Sequence, residues 1–444
     1  MSEENIKRIL ELLDSNRSSE VREEINELHP GDISEIINNL PKEHQLSTFE
    51  LLNIDNSADV LHELFDDVRE NIINSLQSQK LASILDEMES DEATDIISEL
   101  EFEIVKEITN KLDKEDLSEI TQLLKYDEET AGGLMQTEVI AVDRDAKRDE
   151  IIEIIRNESS EVEKIHYVCV VDKDNKFIGL LEAIRLLLVS KNFKAIDMIE
   201  EDIISVNVNE DQEEVANLFR KYDMYILPVI DDDNHLLGRI TVDDIIDVID
   251  EEASEDAYKM VGLENEDRVF THPLSSVKKR LPWLTLNLFT ALLVSSVVGI
   301  FEVTIAKLSF LAVLMPIVAG LGGNSGTQTL TVITRGIALG ELTIQNTFKA
   351  ILKEISVGLI NGFLIGSTAM LIAYILKGDI LLGAVLGISM VCNMFIAGLV
   401  GSLIPVIMKT LKIDPALASS VVITMLTDIG GFASFLGLAS ILLV

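Results

Sequence analysis

The sequence has 444 residues and a formal net charge of −40, and residues 1–270 carry 70 acidic and 26 basic side chains against 6 and 10 in residues 271–444. This length predicts several domains, and the long uncharged runs of the last third exclude a protein that is soluble throughout. The acidic majority argues against a nucleic-acid partner, because it repels phosphate.

Residues 1–128 have the periodicity of short amphipathic helices. Similar segments recur at spacings close to multiples of twelve residues, and they begin at Asp32, Ser57, Leu81, Ala93 and Asp116. Stacked units of this kind predict an all-α superhelical N-domain. A loosely periodic helical bundle is the alternative that the sequence leaves open.

Two segments in the middle of the chain repeat each other. Tyr167–Gly179 aligns with Ile226–Gly238 at an offset of 59 residues, and Val139–Val142 aligns with Ile203–Val206 at an offset of 64. Apolar runs of four or five residues at these positions predict buried strands. Two amphipathic helical patterns accompany the strands, Asp149–Arg156 and Asp211–Arg220.

The repeated unit resembles a pair of CBS (cystathionine-β-synthase) domains, here residues 131–197 and 198–248, which form an α/β regulatory module. The second repeat ends in Gly238-Arg-Ile-Thr-Val-Asp-Asp244, similar to the pattern with which such domains hold the ribose of an adenine nucleotide. Thr241 and Asp244 are therefore candidate nucleotide-binding residues. The first repeat has Glu182 and Arg185 at the equivalent positions, so the resemblance implies one site. The alternative is that Thr241 and Asp244 begin a helix.

An acidic segment connects this pair to the last third of the chain. Residues 243–256 contain eight acidic side chains and no basic one, and apolar residues interrupt them with helical spacing. We therefore predict an acidic connecting helix over residues 243–272. One interpretation is a solvated helix face, and the other is a helix whose conformation depends on divalent cations bound through oxygen ligands.

The last third, residues 273–444, is predicted to be an all-α membrane domain with five spans. Each uncharged or nearly uncharged run is long enough to cross a hydrocarbon core of ~30 Å as a helix. The runs are Trp283–Phe301, Leu308–Thr334, Ile355–Leu376, Ile380–Met408 and Pro415–Val444.

Basic residues near the ends of the spans predict the orientation of the protein. Eight of them lie on the side of the acidic N-terminal part, and Lys307 and Lys377 lie on the other side. We expect a multi-pass protein of the cell (inner) membrane, with its N-terminal two-thirds cytoplasmic and its C-terminus outside.

A single acidic residue, Asp428, lies in the fifth span. An ionised carboxylate there costs at least about 2.5–3.5 kcal/mol unless it is compensated. Ser420 and Thr424 precede it by eight and four residues, so a helix places the three in one row, and Thr427 precedes it directly. One interpretation is a protonated carboxyl bonded to a neighbouring span. We favour a carboxylate that lines a water-filled path for a cation.

Polar residues also interrupt the other spans. Gly320–Thr329 contains four glycines beside Asn324 and Gln328, which predicts an interrupted second span with exposed carbonyl groups. A phosphate-binding loop is excluded, because no lysine follows the glycines. Asn361 and Asn393, in the third and fourth spans, are predicted to form hydrogen bonds between helices.

The acidic helical domain, the CBS pair, the acidic connecting helix and the five spans together resemble the MgtE family of magnesium channels. The resemblance covers essentially the whole chain, and five strings carry it: Ala131-Gly-Gly-Leu-Met135, Asp211-Gln-Glu-Glu-Val215, Thr241-Val-Asp-Asp244, Gly322-Gly-Asn-Ser-Gly326 and Asp414-Pro-Ala-Leu417. The family implies a homodimer in membrane lipid, with a Mg²⁺ pore on the two-fold axis that the second and fifth spans line.

The resemblance also implies roles for individual residues of the pore. Asp428 matches the aspartate that selects hydrated Mg²⁺, and Thr424 and Ser420 match positions that contact the ion. Ser420 and Thr327 stand where family members carry Asn. The full set of pore residues that we expect is Asp428, Thr424, Ser420, Thr427, Asn324 and Gln328.

Regulatory Mg²⁺ sites follow from the same resemblance. At high cytosolic Mg²⁺ the ions bridge acidic residues of different domains and lock the connecting helix against the pore, and at low Mg²⁺ charge repulsion separates the domains and opens the pore. The matching acidic residues, besides Asp428 in the pore, are Asp91, Asp95, Asp211, Glu213, Asp223, Asp244, Asp247, Glu252, Glu255, Asp256 and Asp414.

We expect no enzymatic activity. A membrane-embedded zinc protease needs a histidine pair in its spans, and none of the six histidines lies in one. An anion channel is disfavoured because a buried Asp would repel its substrate. Two alternatives stay open: a broader transporter of divalent cations such as Mn²⁺ and Co²⁺, and a membrane transporter regulated by an adenine nucleotide such as ATP.

Overall fold

The computed structural model of the protein describes residues 2–158, 165–199, 204–263, 269, 271–343, 345–417 and 420–444. These residues form two compact units, residues 1–248 and 249–444. Each unit has hydrophobic cores of its own.

Short helices fill residues 2–123 of the first unit. They are α1 (Ser2–Asp14), α2 (Ser18–Ile25), α3 (Pro30–Asn39), α4 (Lys42–Phe49), α5 (Ile54–His62), α6 (Asp66–Ile73), α7 (Ser78–Leu85), α8 (Ser90–Ser98), α9 (Phe102–Ile108) and α10 (Lys114–Leu123). Alternate helices pack on each other: α3 on α5, α5 on α7 and α7 on α9, with α4 on α6 and α8 on α10. This two-row stack confirms the predicted superhelical domain.

Tertiary packing is what holds these helices, because isolated helices of about ten residues are marginal in water. Ile33, Leu61 and Leu81 are almost fully buried in one continuous core. Local capping adds to this: the Asn53 side chain accepts a hydrogen bond from the backbone N–H of Asn56 at 2.7 Å and so fixes the start of α5.

The rest of the first unit consists of two three-stranded sheets with the same topology. The elements are β1 (Ala141–Asp143), α11 (Arg148–Glu158), β2 (Tyr167–Val171), β3 (Phe177–Glu182), α12 (Arg185–Leu188), β4 (Val206–Asn207), α13 (Gln212–Tyr222), β5 (Ile226–Ile230), β6 (Leu236–Thr241) and α14 (Val242–Met260). In each sheet the first strand is parallel to the second, which is antiparallel to the third. The predicted repeat is confirmed, although Ile203 of the predicted strand lies outside the described residues.

The two repeats join through equivalent turns. Asn175 and Asn234, which the offset of 59 aligns, both have a left-handed backbone, with φ of 58° and 69°. The Asn175 amide donates to the Leu236 carbonyl at 3.1 Å, and the Asn234 amide donates to the Phe177 carbonyl at 2.8 Å. The pairing is therefore pseudo-symmetric, as expected of a CBS pair.

The second unit is helical. After the end of α14 it contains α15 (Pro273–Ile300), α16 (Glu302–Lys307), α17 (Phe310–Ala338), α18 (Thr347–Lys377), α19 (Ile380–Thr410) and α20 (Ser420–Leu442). Among the described residues, α15, α17, α18, α19 and α20 are long and apolar enough to cross a membrane. The prediction of five spans is thus confirmed. The fifth helix begins at Ser420, and a short 3₁₀ turn, Pro415–Leu417, precedes it.

The glycine-rich segment does not interrupt the second span, so that prediction was wrong. Helix α17 continues through it, and its glycines serve close packing instead. A Cβ on Gly323 would lie 3.3 Å from Thr424, and one on Gly326 would lie 2.5 Å from Ile423, both on α20. Small residues of this kind let helices approach each other in lipid.

Candidate functional site

The carboxyl group of Asp428 lies on α20 with one oxygen buried and unsatisfied. Asp428 is half-buried in this protomer, and its Oδ1 has no hydrogen-bond partner among the described residues. Burying an unpaired carboxylate is costly, so the charged form needs a compensating cation or water. Asp428 lies within the fifth apolar helix, as predicted, and its role in a pore stays a prediction.

The hydroxyl groups before Asp428 donate their protons within α20. Thr424 Oγ1 donates to the Ser420 carbonyl at 2.6 Å, and Thr427 Oγ1 donates to the Thr424 carbonyl at 3.0 Å. Each hydroxyl oxygen then has only its lone pairs left. The row formed by Ser420, Thr424 and Asp428 is thus rich in acceptors, which suits the water shell of a cation.

Thr427 is separated from this row. Its side chain is fully buried, and its methyl group lies 3.4 Å from the position that a Cβ on Gly326 would take. It therefore packs between α20 and α17. Thr427 is a packing residue in the single chain, and the expectation that it lines the pore stays a prediction.

Asn324 and Gln328 share one exposed face of α17. They are four residues apart, which places them one turn apart on the same side of a helix, and both are exposed in the single protomer. Asn361 is also exposed, on α18, so a helix contact for it is not seen within the described chain. Asn393 is fully buried and donates to α17, which confirms the helix–helix hydrogen bond predicted for it.

Glu255, Asp256 and Asp414 are predicted cation ligands of the second unit, and a lysine lies among them. Lys259 Nζ lies 2.5 Å from Glu255 Oε1 and 2.8 Å from Asp414 Oδ2. The other oxygen of Asp414 accepts from the backbone N–H of Ala416 at 2.8 Å. Burial lowers the pKa of Lys259, but its hydrogen bonds with Asp414 and Glu255 outweigh burial and raise this pKa above its usual value.

Asp256 lies beside the same cluster. Burial, and then the charge of Asp414, raise its pKa. It lines a cavity of about 250 Å³ together with Arg335 and Thr334 of α17, and Thr334 Oγ1 is buried without a hydrogen-bond partner among the described residues. The cavity is large enough for ordered water, and Asp256, Thr334 and Arg335 supply polar groups in a lining that is otherwise largely apolar.

Four acidic residues of the first unit converge at the start of α8. Burial and the charge of Asp244 raise the pKa of Asp91 well above its usual value. Burial, Glu89 and Asp244 raise the pKa of Glu92 to about 9. Burial and Asp244 raise the pKa of Glu89 to about 7. Burial and mutual repulsion disfavour the charged forms of these groups, and a bound cation would favour them.

The segment that opens the first CBS repeat fixes this cluster. Gln136 is fully buried; its amide donates to Glu89 Oε2 at 2.7 Å and accepts from Arg239 at 3.2 Å. Glu138 accepts from the backbone N–H and the hydroxyl of Ser90, at 3.0 and 2.8 Å. The acids of α8 are thereby held against the N-terminal part of α14.

The acidic cluster at the start of α8 contains a carboxylate oxygen that could bind a cation. Asp91 is 6% exposed, and its Oδ1 is buried without a hydrogen-bond partner among the described residues. No group of three acidic, histidine or cysteine side chains in the described part of the chain forms a complete ligand set. Mg²⁺ does not need one, because it usually keeps several waters and binds through one or two carboxylates. The residues therefore fit hydrated Mg²⁺.

Some of the other predicted ligands lie near this cluster, and others lie elsewhere in the chain. Asp95 lies close enough to raise the pKa of Glu92, and Asp247 close enough to affect His62. Asp211 caps the start of α13, where it accepts from the Glu213 N–H at 2.9 Å. Asp223 follows the end of the same helix, about 18 Å away at 1.5 Å per residue, so Asp211 and Asp223 do not share an ion within this protomer. Glu252 lies on α14.

Thr241 and Asp244 form the start of α14. Asp244 Oδ2 accepts from the Thr241 hydroxyl at 2.6 Å and from its backbone N–H at 3.2 Å. This is half of a capping box, and it matches the helix-start alternative from the sequence. A ribose hydroxyl would have to compete with this contact.

Several residues of these sites were not predicted. Glu89 and Glu92 flank Asp91 in an acidic run that the sequence shows, and Lys259 is the first basic residue after the acidic segment. Gln136 carried no local signal, because its role depends on the pairing of residues 131–136 with the second repeat.

Comparisons with known proteins agree with this architecture. Residues 28–129 match the model of the MgtE intracellular N domain, residues 131–191 and 194–251 match that of the CBS domain, and residues 315–438 match that of the MgtE divalent cation transporter. A magnesium transporter MgtE of Bacillus subtilis is 30% identical over 439 residues, which cover 99% of this chain and 97% of that protein. The chain belongs to the MgtE family.

Other MgtE proteins are similarly related. A magnesium transporter MgtE of Enterococcus faecalis is 38% identical over 318 residues, 72% of this chain and 70% of that protein. One of Thermus thermophilus is 33% identical over 329 residues, 72% of each chain.

Two solved structures resemble the N-terminal part of the chain. The soluble part of a magnesium transporter has a TM-score of 0.52 at 32% identity and covers 57% of this chain and 100% of its own. The cytosolic domain of the Mg²⁺ channel MgtE in complex with ATP has a TM-score of 0.52 at 29% identity and covers 55% of this chain and 99% of its own.

Proposed function

We propose that this MgtE-family protein conducts Mg²⁺ into the cell through a path lined by α17 and α20, with Asp428 as the selecting residue. The observation that carries the proposal is the buried, unsatisfied Oδ1 of Asp428 within a membrane span. Mg²⁺ gives up its water reluctantly. A carboxylate behind acceptor-rich Thr424 and Ser420 can hold the ion through its waters.

The assembly that we propose is a homodimer in the membrane. Asn324 and Gln328 of α17 are exposed in the single protomer, and polar side chains facing lipid are unfavourable. A second copy would cover them and bring a second Asp428 to the path. Two such carboxylates repel each other unless a cation lies between them. The cytosolic side of the N-terminal two-thirds and the outer position of the C-terminus belong to the same proposal.

Regulation by cytosolic Mg²⁺ forms the second part of the proposal. Mg²⁺ would bind Asp91 and Asp244 between the N-domain and the CBS pair, and Glu255, Asp256 and Asp414 at the connecting helix. Binding favours the conformation in which these acids are close, so the ion stabilises it through its difference in affinity. We keep the domain boundaries 1–128, 131–197, 198–248, 243–272 and 273–444 as proposed boundaries.

The test of the conduction path is Asp428→Ala in proteoliposomes that contain a Mg²⁺-sensitive dye. We expect Mg²⁺ uptake to fall to the level of empty liposomes, because the variant lacks the group that compensates the ion. Glu341→Gln, which changes an exposed carboxylate outside the spans, is the matched control and is expected to transport normally. Uptake by Asp428→Ala at the rate of the control would refute the proposed path.

Binding of ATP is a second function supported by one finding. The cytosolic domain of a relative with 29% sequence identity was solved in complex with ATP. This chain has Thr241 and Asp244 at its candidate nucleotide-binding positions. ATP regulation, as opposed to ATP hydrolysis, would coexist with Mg²⁺ gating.

A further inference from the structure

Asn393 joins three membrane helices at one point. Its side chain is fully buried near the middle of α19, and its amide nitrogen donates to the Val318 carbonyl of α17 at 2.8 Å. The same amide group lies against Gly322 of α17 and Gly431 of α20. A single side chain of α19 thus contacts both helices that we assign to the conduction path.

The two glycines provide the space for this amide. A Cβ on Gly322 would overlap the Asn393 side chain, and a Cβ on Gly431 would lie 2.6 Å from its nitrogen. Real Cβ atoms do not come this close, so the asparagine and the two glycines depend on one another. The close approach of α17 and α20 to Asn393 therefore requires glycine at both positions.

Helix geometry relates this contact to the proposed path. At about 100° per residue, Asn324 lies about 200° from Gly322 around α17 and so faces away from Asn393. Asp428 lies three residues before Gly431, close to the same side of α20. A rotation of either helix about the Asn393 contact changes where Asn324 or Asp428 points.

Packing alone does not account for an asparagine at this position. An apolar side chain of similar size would fill the space without burying a polar group between the helices. Asn393 also leaves its Oδ1 without a hydrogen-bond partner among the described residues, which is a further cost.

We propose that Asn393 is a positioning residue for cation conduction: its amide sets the rotation of α17 and α20 and thereby the distance at which Asp428 and its neighbours hold the hydrated ion. This inference rests on the proposed function.

The test compares Asn393→Leu and Asn393→Ala with Asn361→Leu. All three remove an asparagine amide from a membrane helix, but Asn361 is exposed on α18. Mg²⁺ uptake is measured per monodisperse protein as a function of external Mg²⁺, and again with hexaamminecobalt(III), an inert mimic of hydrated Mg²⁺, as the inhibitor. Loss of an interhelical hydrogen bond in a membrane is expected to raise the half-saturating Mg²⁺ concentration about threefold or more, and to weaken inhibition in parallel, in both Asn393 variants only.

A purely structural role would lower the yield or the maximal uptake and leave the half-saturating and inhibitory concentrations unchanged, and this result would overturn the proposal. The double variant Asn393→Ala with Gly431→Ala adds a comparison that remains informative when a single variant folds poorly. We expect Gly431→Ala alone to reduce Mg²⁺ uptake more than the same substitution does in the Asn393→Ala background, because its methyl group meets the amide only when Asn393 is present. An equal loss of uptake in both backgrounds would also overturn the proposal.

The two hypotheses fail in different ways. If Asp428→Ala abolishes uptake while both Asn393 variants saturate like the unchanged protein, only the role of Asn393 is refuted. If Asp428→Ala transports normally, the proposed conduction path itself is refuted.

Discussion

Several carboxyl groups with raised pKa values lie together at the start of α8. Glu89, Asp91 and Glu92 lie near Asp244, and each has a raised pKa for which burial is the largest cause. At neutral pH the cluster therefore holds protons that Mg²⁺ can replace, so binding of the ion and release of protons are linked.

Glu92 allows this linkage to be measured. Its folded pKa of about 9 lies above the ordinary value of 4.5, so the folded protein binds this proton more tightly than the unfolded chain. The contribution of Glu92 to the free energy of unfolding therefore falls as pH rises from about 4.5 to about 9. In Mg²⁺-free buffer, the Tm of the acidic N-terminal part should fall between about pH 6 and pH 9 in the unchanged protein. In Glu92→Gln this fall should be smaller by at least about 2 °C.

Glu35→Gln is the matched control for this experiment, because Glu35 is an exposed carboxylate of the same domain. It should retain the pH dependence of the unchanged protein. An identical fall of Tm in Glu92→Gln and Glu35→Gln would contradict the raised pKa of Glu92.

The acidic residues around Lys259 differ from those at the start of α8, because a basic side chain is bonded to them. Its ammonium group is bonded to both Glu255 and Asp414, so one positive charge offsets part of the negative charge of these two predicted cation ligands. A divalent cation at this place would have to displace an internal charge, whereas at the start of α8 it would displace protons.

Among the elements, α17 shows why glycines matter in a membrane helix. Gly326 meets Ile423 of α20, whereas no described atom lies within 4 Å of a Cβ built on Gly320. The same residue type therefore has a packing role at one position and not at the other. Gly323 and Gly326 let α17 approach α20 closely.

The pair Gly326→Ala and Gly320→Ala tests this difference. We expect Gly326→Ala to lower the temperature at which the detergent-solubilised protein loses its monodisperse state, because the added methyl group would lie 2.5 Å from Ile423. Gly320→Ala should leave this temperature unchanged or raise it, since alanine favours a helix more than glycine does. Equal effects of the two substitutions would contradict the packing role of Gly326.

The connecting helix α14 combines opposite tendencies. Its acidic side chains at spacings of three and four residues repel one another, and Asp244 at its start favours the helix as a capping residue. Lys259 near its end is favourable to the helix dipole and to the acidic cluster. A divalent cation bound between its acidic side chains would reduce their repulsion and so favour the helix.

At the scale of the whole molecule, the charge balance is −44 in residues 1–270 and +4 in residues 271–444, which separates an acidic part from a membrane part. Self-repulsion of the acidic part opposes compaction. Divalent cations at the acidic clusters of each unit would relieve it, and this is the physical basis of the proposed feedback.

The feedback predicts that Mg²⁺ uptake into proteoliposomes decreases as the internal Mg²⁺ concentration is raised through the millimolar range. The protein must be oriented with its acidic part inside, and internal K⁺ at the same ionic strength is the control, because screening alone would act equally. Uptake that does not depend on internal Mg²⁺ would refute the feedback. A shift of the curve on addition of internal ATP would favour nucleotide regulation, and an unchanged curve would speak against it.

The sequence alone determined the elements that depend on local periodicity and charge. Long apolar runs predict α15, α17, α18, α19 and α20, because a lipid environment requires such lengths. The offset of 59 residues predicts the two equivalent sheets, and the lone Asp428 marks the candidate path, because a charge in a span is rare.

Only the tertiary structure decided which of these residues meet. The continuity of α17 through its glycines, the separation of Thr427 from the row of Asp428, and the bond from Lys259 to Asp414 depend on contacts between segments that are distant in sequence. Periodicity gives the side of a helix on which a residue lies, but not the neighbour that covers it. The convergence of Asp91 and Asp244 and the position of Asn393 between two glycines could be read only from the packed helices.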